Sequence, residues 1–202
     1  MKNKYTQSEE SQVVSEPDYG GSYTVKDYLS WTFDGLYEII KGKVWKMSPA
    51  PTSDHQRIDR RIVRKMLPYF PEGGNCELFY APYDVYLIKE GDDLERATTV
   101  LQPDVCIVCN PKKIEKRGCI GAPDLVVEII SPSTAKKDLN DKFKVYEEFG
   151  VKEYWVVFPG EKAINIYTLV NGKYELFKSF GQDEELQSPL FEQLNFVVSE
   201  VF

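Results

Sequence analysis

Pro123-Asp124-Leu125-Val126-Val127-Glu128-Ile129-Ile130-Ser131-Pro132-Ser133 is the stretch that decides how this chain folds. From Leu125 to Ile130 it is a nearly unbroken apolar run rich in branched residues, the pattern of a strand covered on both faces. Ser131 and Pro132 stop it. Apolar periodicity from about Ala135 to Phe149 then predicts a helix, closed by Gly150, and Glu153 to Phe158 predicts the next strand. Strand, helix and strand in this order point to a mixed α/β domain.

The same stretch carries an anomaly. Glu128 puts a carboxylate in the middle of a buried strand, where an unpaired charge would cost several kcal/mol, roughly, or take up a proton. It must meet a cation, a metal ion or a network of donors, unless its face is an exposed sheet edge. Asp104 is comparable: Gln102-Pro103-Asp104 opens the apolar run Val105 to Val108, either as a plain turn residue or as a second carboxylate delivered to the sheet. Asp124 shares a face with Glu128 but lies about 13 Å from it along the strand, too far to share an ion. Asp104 on a neighbouring strand can approach Glu128, so these two form the better cross-strand metal pair.

On the following helix, at about 100° per residue, Leu139, Phe143, Tyr146 and Phe149 form one apolar arc. Lys142 falls inside that arc and Lys144 opposite it. An inward ammonium either snorkels to water or reaches carboxylates on the sheet below. Glu38, in Leu36-Tyr37-Glu38-Ile39-Ile40, is another carboxylate flanked by apolar residues. His55 is the only histidine. Its place in the first turn of a helix gives no ligand spacing, so a structural role is the weightier reading.

Around this centre, Val25 to Trp31 reads as a short helix, and Leu36 to Met47 as a hairpin turning at Lys41-Gly42. Ser48-Pro49-Ala50-Pro51 ends it. Thr52 to about Tyr69 is an amphipathic helix with Ile58, Ile62, Met66 and Tyr69 on one stripe. Its Arg57, Arg60, Arg61, Arg64 and Lys65 read as a solvated face before they read as a phosphate-binding one. Cys76 to Ile88 and Asp104 to Cys109 are strand-like, as are Ala163 to Leu169 and Tyr174 to Lys178, the last two joined at Asn171-Gly172. Residues 1–20 are a polar leader, and 21–202 form one domain.

With 202 residues, 42% hydrophobic and 13% aromatic, the chain can bury a substantial core, which excludes a disordered or collagen-like protein. No run approaches the roughly 18 apolar residues of a membrane span and the N-terminus lacks a signal-peptide core, so the cytoplasm is the expected compartment. A net charge of -7, from 25 Lys and Arg against 32 Asp and Glu, disfavours bulk attraction to nucleic acid but leaves room for local basic surfaces. Among the four cysteines, Cys106 and Cys109 point to opposite sides of one strand and cannot share a zinc ion, so buried thiols are expected. Phosphate loops, Gly-x-Ser-x-Gly elbows, His-Glu-x-x-His and dinucleotide fingerprints are all missing, and no organic cofactor is expected. What remains is carboxylates and a lysine, a set suited to Mg²⁺ or Mn²⁺.

From Tyr23 to Phe202 the sequence resembles the Uma-two family of restriction-endonuclease-like proteins within the PD-(D/E)XK nuclease superfamily. The resemblance is carried, in order, by Tyr37-Glu38-Ile39-Ile40-Lys41-Gly42, by Met47-Ser48-Pro49-Ala50-Pro51 with His55, and by Gln102-Pro103-Asp104-Val105. It continues through the Pro123 to Ser133 stretch, Lys142 with Tyr146, and Gly150-Val151-Lys152-Glu153-Tyr154-Trp155. It implies a restriction-endonuclease-like core, with a central mixed β-sheet flanked by helices. Asp104 matches the Pro-Asp aspartate, Glu128 the acidic residue of the (D/E)XK motif, and Glu38 an early glutamate near the metal site. The usual lysine position is Ile130, and the resemblance implies that Lys142 supplies the amine instead. Relatives commonly carry aspartate where this chain has Phe158.

The activity so implied is metal-dependent cleavage of phosphodiester bonds, in DNA before RNA or branched forms. Asp104, Glu128, the Ile129 carbonyl and Glu38 would hold Mg²⁺ or Mn²⁺, and Lys142 would act on the attacking water. A homodimer would pair two sites. The alternative is a catalytically silent fold that binds a nucleic-acid or protein partner and keeps these residues as an internal ion-pair network.

Overall fold

The computed structural model describes residues 17–32, 34–47, 51–131 and 137–202. Residues 1–16 of the expected leader, Ser48-Pro49-Ala50, and the expected link and helix start at 132–136 lie outside them. In chain order the elements begin with helix α1 (Val25–Ser30), strands β1 (Tyr37–Ile40) and β2 (Lys43–Lys46), and helix α2 (Ser53–Met66). Seven strands follow: β3 (Glu77–Tyr80), β4 (Val85–Tyr86), β5 (Val100–Leu101), β6 (Val105–Val108), β7 (Ile114–Glu115), β8 (Gly118–Ile120) and β9 (Leu125–Ile129). Helix α3 (Phe143–Phe149) then leads to β10 (Glu153–Phe158), β11 (Ala163–Val170), β12 (Lys173–Phe180), β13 (Glu185–Gln187) and β14 (Asn195–Val197).

β9 is an interior strand, as its composition predicts: it pairs antiparallel with β6 and parallel with β10 in a six-stranded mixed sheet ordered β12-β11-β10-β9-β6-β3. Every β9 residue is buried. Leu125, Val127 and Ile129 face Ile58, Ile62 and Met66 of α2, whereas Val126 faces Val145 and Tyr146 of α3. The two helices therefore cover opposite faces of one sheet, which is why β9 lacks the alternation of a half-exposed strand.

A second six-stranded sheet, β2-β1-β5-β4-β8-β7, was not legible as a unit. Its Ile40, Val85 and Leu101, with Leu87 just beyond β4, join the core on the α3 side. The run from Cys76 to Ile88, one strand by pattern, divides between the two sheets, with β3 ending at Tyr80, β4 starting at Val85 and the cis Ala81–Pro82 bond between them. The β7–β8 and β13–β14 hairpins also escaped the pattern reading, since strands of two or three residues carry almost no periodicity.

Local chemistry accounts for the ends that were foreseen. Thr52 caps α2 by accepting from the His55 amide, and Gly150 closes α3 at φ 84°. Lys41-Gly42 and Asn171-Gly172 turn their hairpins with positive φ at both residues (50° and 84°, 51° and 78°).

Two expectations need correction. Cys76 and Cys109 form a disulfide rather than resting as buried thiols; they stand one step beyond the Glu77–Val108 pair of β3 and β6, across 33 residues of sequence that hide the pairing. Cys106 and Cys119 are the free, buried thiols. Leu139 is 38% exposed instead of lying on the apolar arc, because Lys137–Lys142 is a π-helical turn whose wider winding takes it off the 100° series. Among the described residues no helix is long and apolar enough to cross a membrane.

Candidate active site

The anomaly on β9 is resolved by the helix that follows it. Lys142 stands at the entry to α3 and points down onto the sheet, where its Nζ lies 2.8 Å from Glu128 Oε1 and 2.9 Å from Glu38 Oε1. Glu38 arrives from β1 of the other sheet, so the ammonium joins carboxylates from two sheets. Tyr146, one turn beyond Lys142, donates its hydroxyl to Glu128 Oε1 at 2.7 Å. Lys137 reaches Glu38 Oε2 at 2.5 Å, and the Gln102 amide donates to Glu38 Oε1 at 3.0 Å. Glu38, Glu128 and Lys142 are 0%, 4% and 2% exposed, so these are interior charges and not a surface cluster.

Among the described residues the group sets two carboxylates against two ammonium ions, a balance that lets the interior accommodate it. Burial pushes the Glu38 carboxyl up, but Lys142 and then Lys137 outweigh it and hold the carboxyl below its ordinary value. Burial, and next the negative charge of Glu128, push the Tyr146 hydroxyl well above the ordinary tyrosine value, which keeps it a donor.

Asp104 opens β6 one step beyond the Val105–Val127 pair, hence opposite Glu128 in the antiparallel register. Its Oδ2 accepts from the Ile129 amide at 2.6 Å and lies 3.4 Å from His55 Nε2 on α2. Burial would lower the imidazole, but the Asp104 carboxylate outweighs it and raises His55 overall, with help from Asp59 and the Ile129 backbone. Since only an acceptor favours the protonated ring, that backbone group is the Ile129 carbonyl. Asp59, one helical turn after His55, is pushed up to about 6 by burial and by Asp104. Among the described residues neither His55 Nδ1 nor Asp59 Oδ1, both buried, has a hydrogen-bond partner.

Glu38, Glu128 and Lys142 thus come into direct contact, while Asp104 sits at the open end of the same strand pair with His55 and Ile129. Among the described residues no three His, Cys, Asp or Glu side chains gather as an ion-holding set, so a cation here would also need backbone and solvent oxygens. Asp124 is occupied elsewhere, by Lys152 Nζ at 2.7 Å and the Cys109 amide at 2.7 Å.

A model of the family described as "Putative restriction endonuclease", Uma2, matches residues 25–199. The chain belongs to the Uma2 family. An uncharacterised protein of Synechocystis sp. is 25% identical over 145 residues, covering 70% of this chain and 72% of that one. A crystal structure of a putative nuclease belonging to DUF820 from Anabaena variabilis superposes with a TM-score of 0.69 at 21% identity. It covers 89% of this chain and 97% of the other, and the likeness shows that the nuclease-like α/β fold is shared.

In this Uma2 chain Phe158 continues β10 beside Ala163 and packs into the core on the α3 side, where an aspartate would have added another carboxylate. Sequence reasoning missed Lys137, Tyr146, Gln102 and Asp59 as neighbours of the candidate site; His55, read there as structural, stands beside Asp104. Two of these had a signal: Tyr146 follows Lys142 by four residues and Asp59 follows His55 by four, the spacing of one helix face.

Proposed function

We propose that this protein is a metal-dependent endonuclease that hydrolyses phosphodiester bonds in DNA. The observation that carries the reading is the buried Lys142 ammonium clasped between Glu38 and Glu128, three residues brought together from β1, β9 and the start of α3. Interior charge at such cost is retained where electrostatics are used, and active sites are where it concentrates. The donors fit a hard divalent cation, Mg²⁺ or Mn²⁺: carboxylate oxygens on Asp104 and Glu128, the Ile129 carbonyl, and Glu38 for a second ion. When bound, the cation polarises the phosphate and makes water a better nucleophile.

The chain's own groups do the rest. Glu38 and Glu128 hold the Lys142 ammonium in one orientation, from which it can position the attacking water and stabilise charge developing on the phosphate. The Gln102 amide and Lys137 fix Glu38, and the Tyr146 hydroxyl fixes Glu128. The exposed side of α2 offers basic groups to the DNA: Arg60 and Arg64 are exposed, whereas Lys65 is paired with Glu200 and Arg57 with Asp54. A homodimer would supply the second site needed to cut two strands.

The test is cleavage of supercoiled, linear, single-stranded and branched DNA, and of RNA, by purified protein with Mg²⁺ or Mn²⁺. Cleavage that Glu128→Ala abolishes supports the reading; no cleavage above that variant on any substrate ends it. One observation favours the second reading, a silent partner-binding fold: Lys142 and Lys137 already neutralise Glu38 and Glu128. On that reading the variant changes stability alone. The cytoplasm is the proposed compartment, and a Cys76–Cys109 bond that persists in protein isolated without oxidant would argue for a more oxidising one.

A further inference from the structure

We propose that His55 Nε2 is itself a ligand of the divalent ion, held in the ligating tautomer by Asp59 on the next turn of α2. The proposal rests on the metal-dependent reading above and adds a nitrogen donor to it. His55 Nε2 lies 3.4 Å from Asp104 Oδ2, and its ring stands beside the Ile129 backbone, both part of the oxygen set proposed for the cation. A spacing of 3.4 Å is too long for a good N–H···O bond. It matches instead the separation of two donors on one ion: bonds of about 2.1 Å spread at 90° to 110° leave about 3.0 to 3.4 Å between ligand atoms.

The second observation is independent of the first. His55 Nδ1 and Asp59 Oδ1 are both buried and have no hydrogen-bond partner among the described residues, on one face of α2 and four residues apart. Such orphaned polar atoms each cost about 1–3 kcal/mol, so a compact domain retains them for a reason. If the lone pair of Nε2 binds the ion, the ring proton must sit on Nδ1, and the Asp59 carboxylate is the nearby acceptor, directly or through one water. This is the carboxylate–histidine–metal arrangement by which proteins fix a ligand's tautomer and basicity. Asp104, the Ile129 carbonyl and solvent would complete the set, and Glu128, held by Lys142 at 2.8 Å, would join only by turning onto the ion, since among the described residues no three acidic or histidine side chains gather as they stand. An imidazole donor moves the preference from Mg²⁺ toward Mn²⁺ and later transition ions.

The experiment uses the full-length protein with Mn²⁺ alone and no nucleic acid. Pulsed electron paramagnetic resonance should show ¹⁴N modulation from a coordinated imidazole in the wild type and lose it in His55→Gln. The Mn²⁺ dissociation constant should rise about 10- to 100-fold in Asp59→Asn, which leaves the ring in place. Unchanged near-UV circular dichroism of the Mn²⁺-free variants checks the fold. Mn²⁺ bound without ¹⁴N modulation, or bound as tightly or more tightly by His55→Gln, overturns the proposal and leaves the nuclease reading standing. That outcome would make the imidazole a counter-ion displaced by metal. A wild-type protein that binds no Mn²⁺ overturns both.

Discussion

Replacing Lys142 by methionine isolates the energetics of the buried group. Methionine fills a similar volume but removes the charge shared by Glu38 Oε1, 2.9 Å away, and Glu128 Oε1, 2.8 Å away. Lys137 stays on Glu38, so among the described residues of the group two carboxylates and one ammonium remain, one uncompensated negative charge. Leaving one buried charge uncompensated costs about 3–5 kcal/mol. That is a large share of a typical domain stability of roughly 5–15 kcal/mol. Urea denaturation followed through the fully buried Trp155 would read the loss as a lower midpoint at unchanged slope.

The pH dependence makes this prediction specific. In the wild type, Glu38 is held below its ordinary value of 4.5, so its contribution is present above that value and is lost as pH falls through the depressed one. Without Lys142 the excess carboxylate favours taking up a proton. The difference between wild type and Lys142→Met is therefore greatest near pH 7 and shrinks as pH falls toward about 4 to 5. A variant within about 1 kcal/mol of wild type at pH 7, or a difference that stays flat down to about pH 5, would refute the account of a buried, compensated ion group.

Three other perturbations probe the frame that holds this site. Cys76→Ser with Cys109→Ser releases a closure spanning 33 residues and should cost roughly 3–4 kcal/mol by chain entropy; wild type with reductant should match it in calorimetry, and an unchanged midpoint in both would contradict the disulfide. Gly118→Ala should fold poorly, because at φ 144° its new Cβ would stand 2.2 Å from the Asp84 carbonyl oxygen; a melting temperature equal to wild type would show that β4 and β8 are not so closely paired. Buried Glu153 accepts from Trp155 Nε1, Ser188 Oγ and the Leu190 amide and so fastens the C-terminal hairpin to β10. Burial raises its carboxyl despite those donors, so its contribution is present below the ordinary glutamate value and fades as pH rises through the raised one. Glu153→Gln should accordingly gain on wild type between about pH 4 and pH 7 in urea titrations, and a constant difference would count against the raised value.

The parts of the site legible in the sequence are those governed by local rules. Glu128 declared itself by standing in an apolar strand, and Lys142 by its position on a helical arc, even though the π-helical turn displaced Leu139 from the same arc. His55 and Asp59 were legible only as neighbours on one helix face. Their four-residue spacing is commonplace on a helix, and only the packing of α2 on β9 and β6 sets them beside Asp104. Lys137 and Gln102 were hidden for a related reason: each reaches Glu38 across a strand boundary or from another layer.

By itself the sequence determined the elements whose signals lie within a few residues: the buried β9, the capped α2, the glycine stop of α3, the two positive-φ hairpins and the presence of costly interior charge. Backbone preference and hydrophobic periodicity act over one or two turns, so a single chain read in order contains them. Only the tertiary structure decided the division of Cys76 to Ile88 between two sheets, the Cys76–Cys109 bond, the meeting of Glu38 with Glu128 on one ammonium, and the approach of α2 to Asp104. Those depend on which surfaces bury one another. Cross-strand and cross-layer contacts join residues about a hundred positions apart, as Lys137 and Glu38 show, and no local preference encodes such a partner.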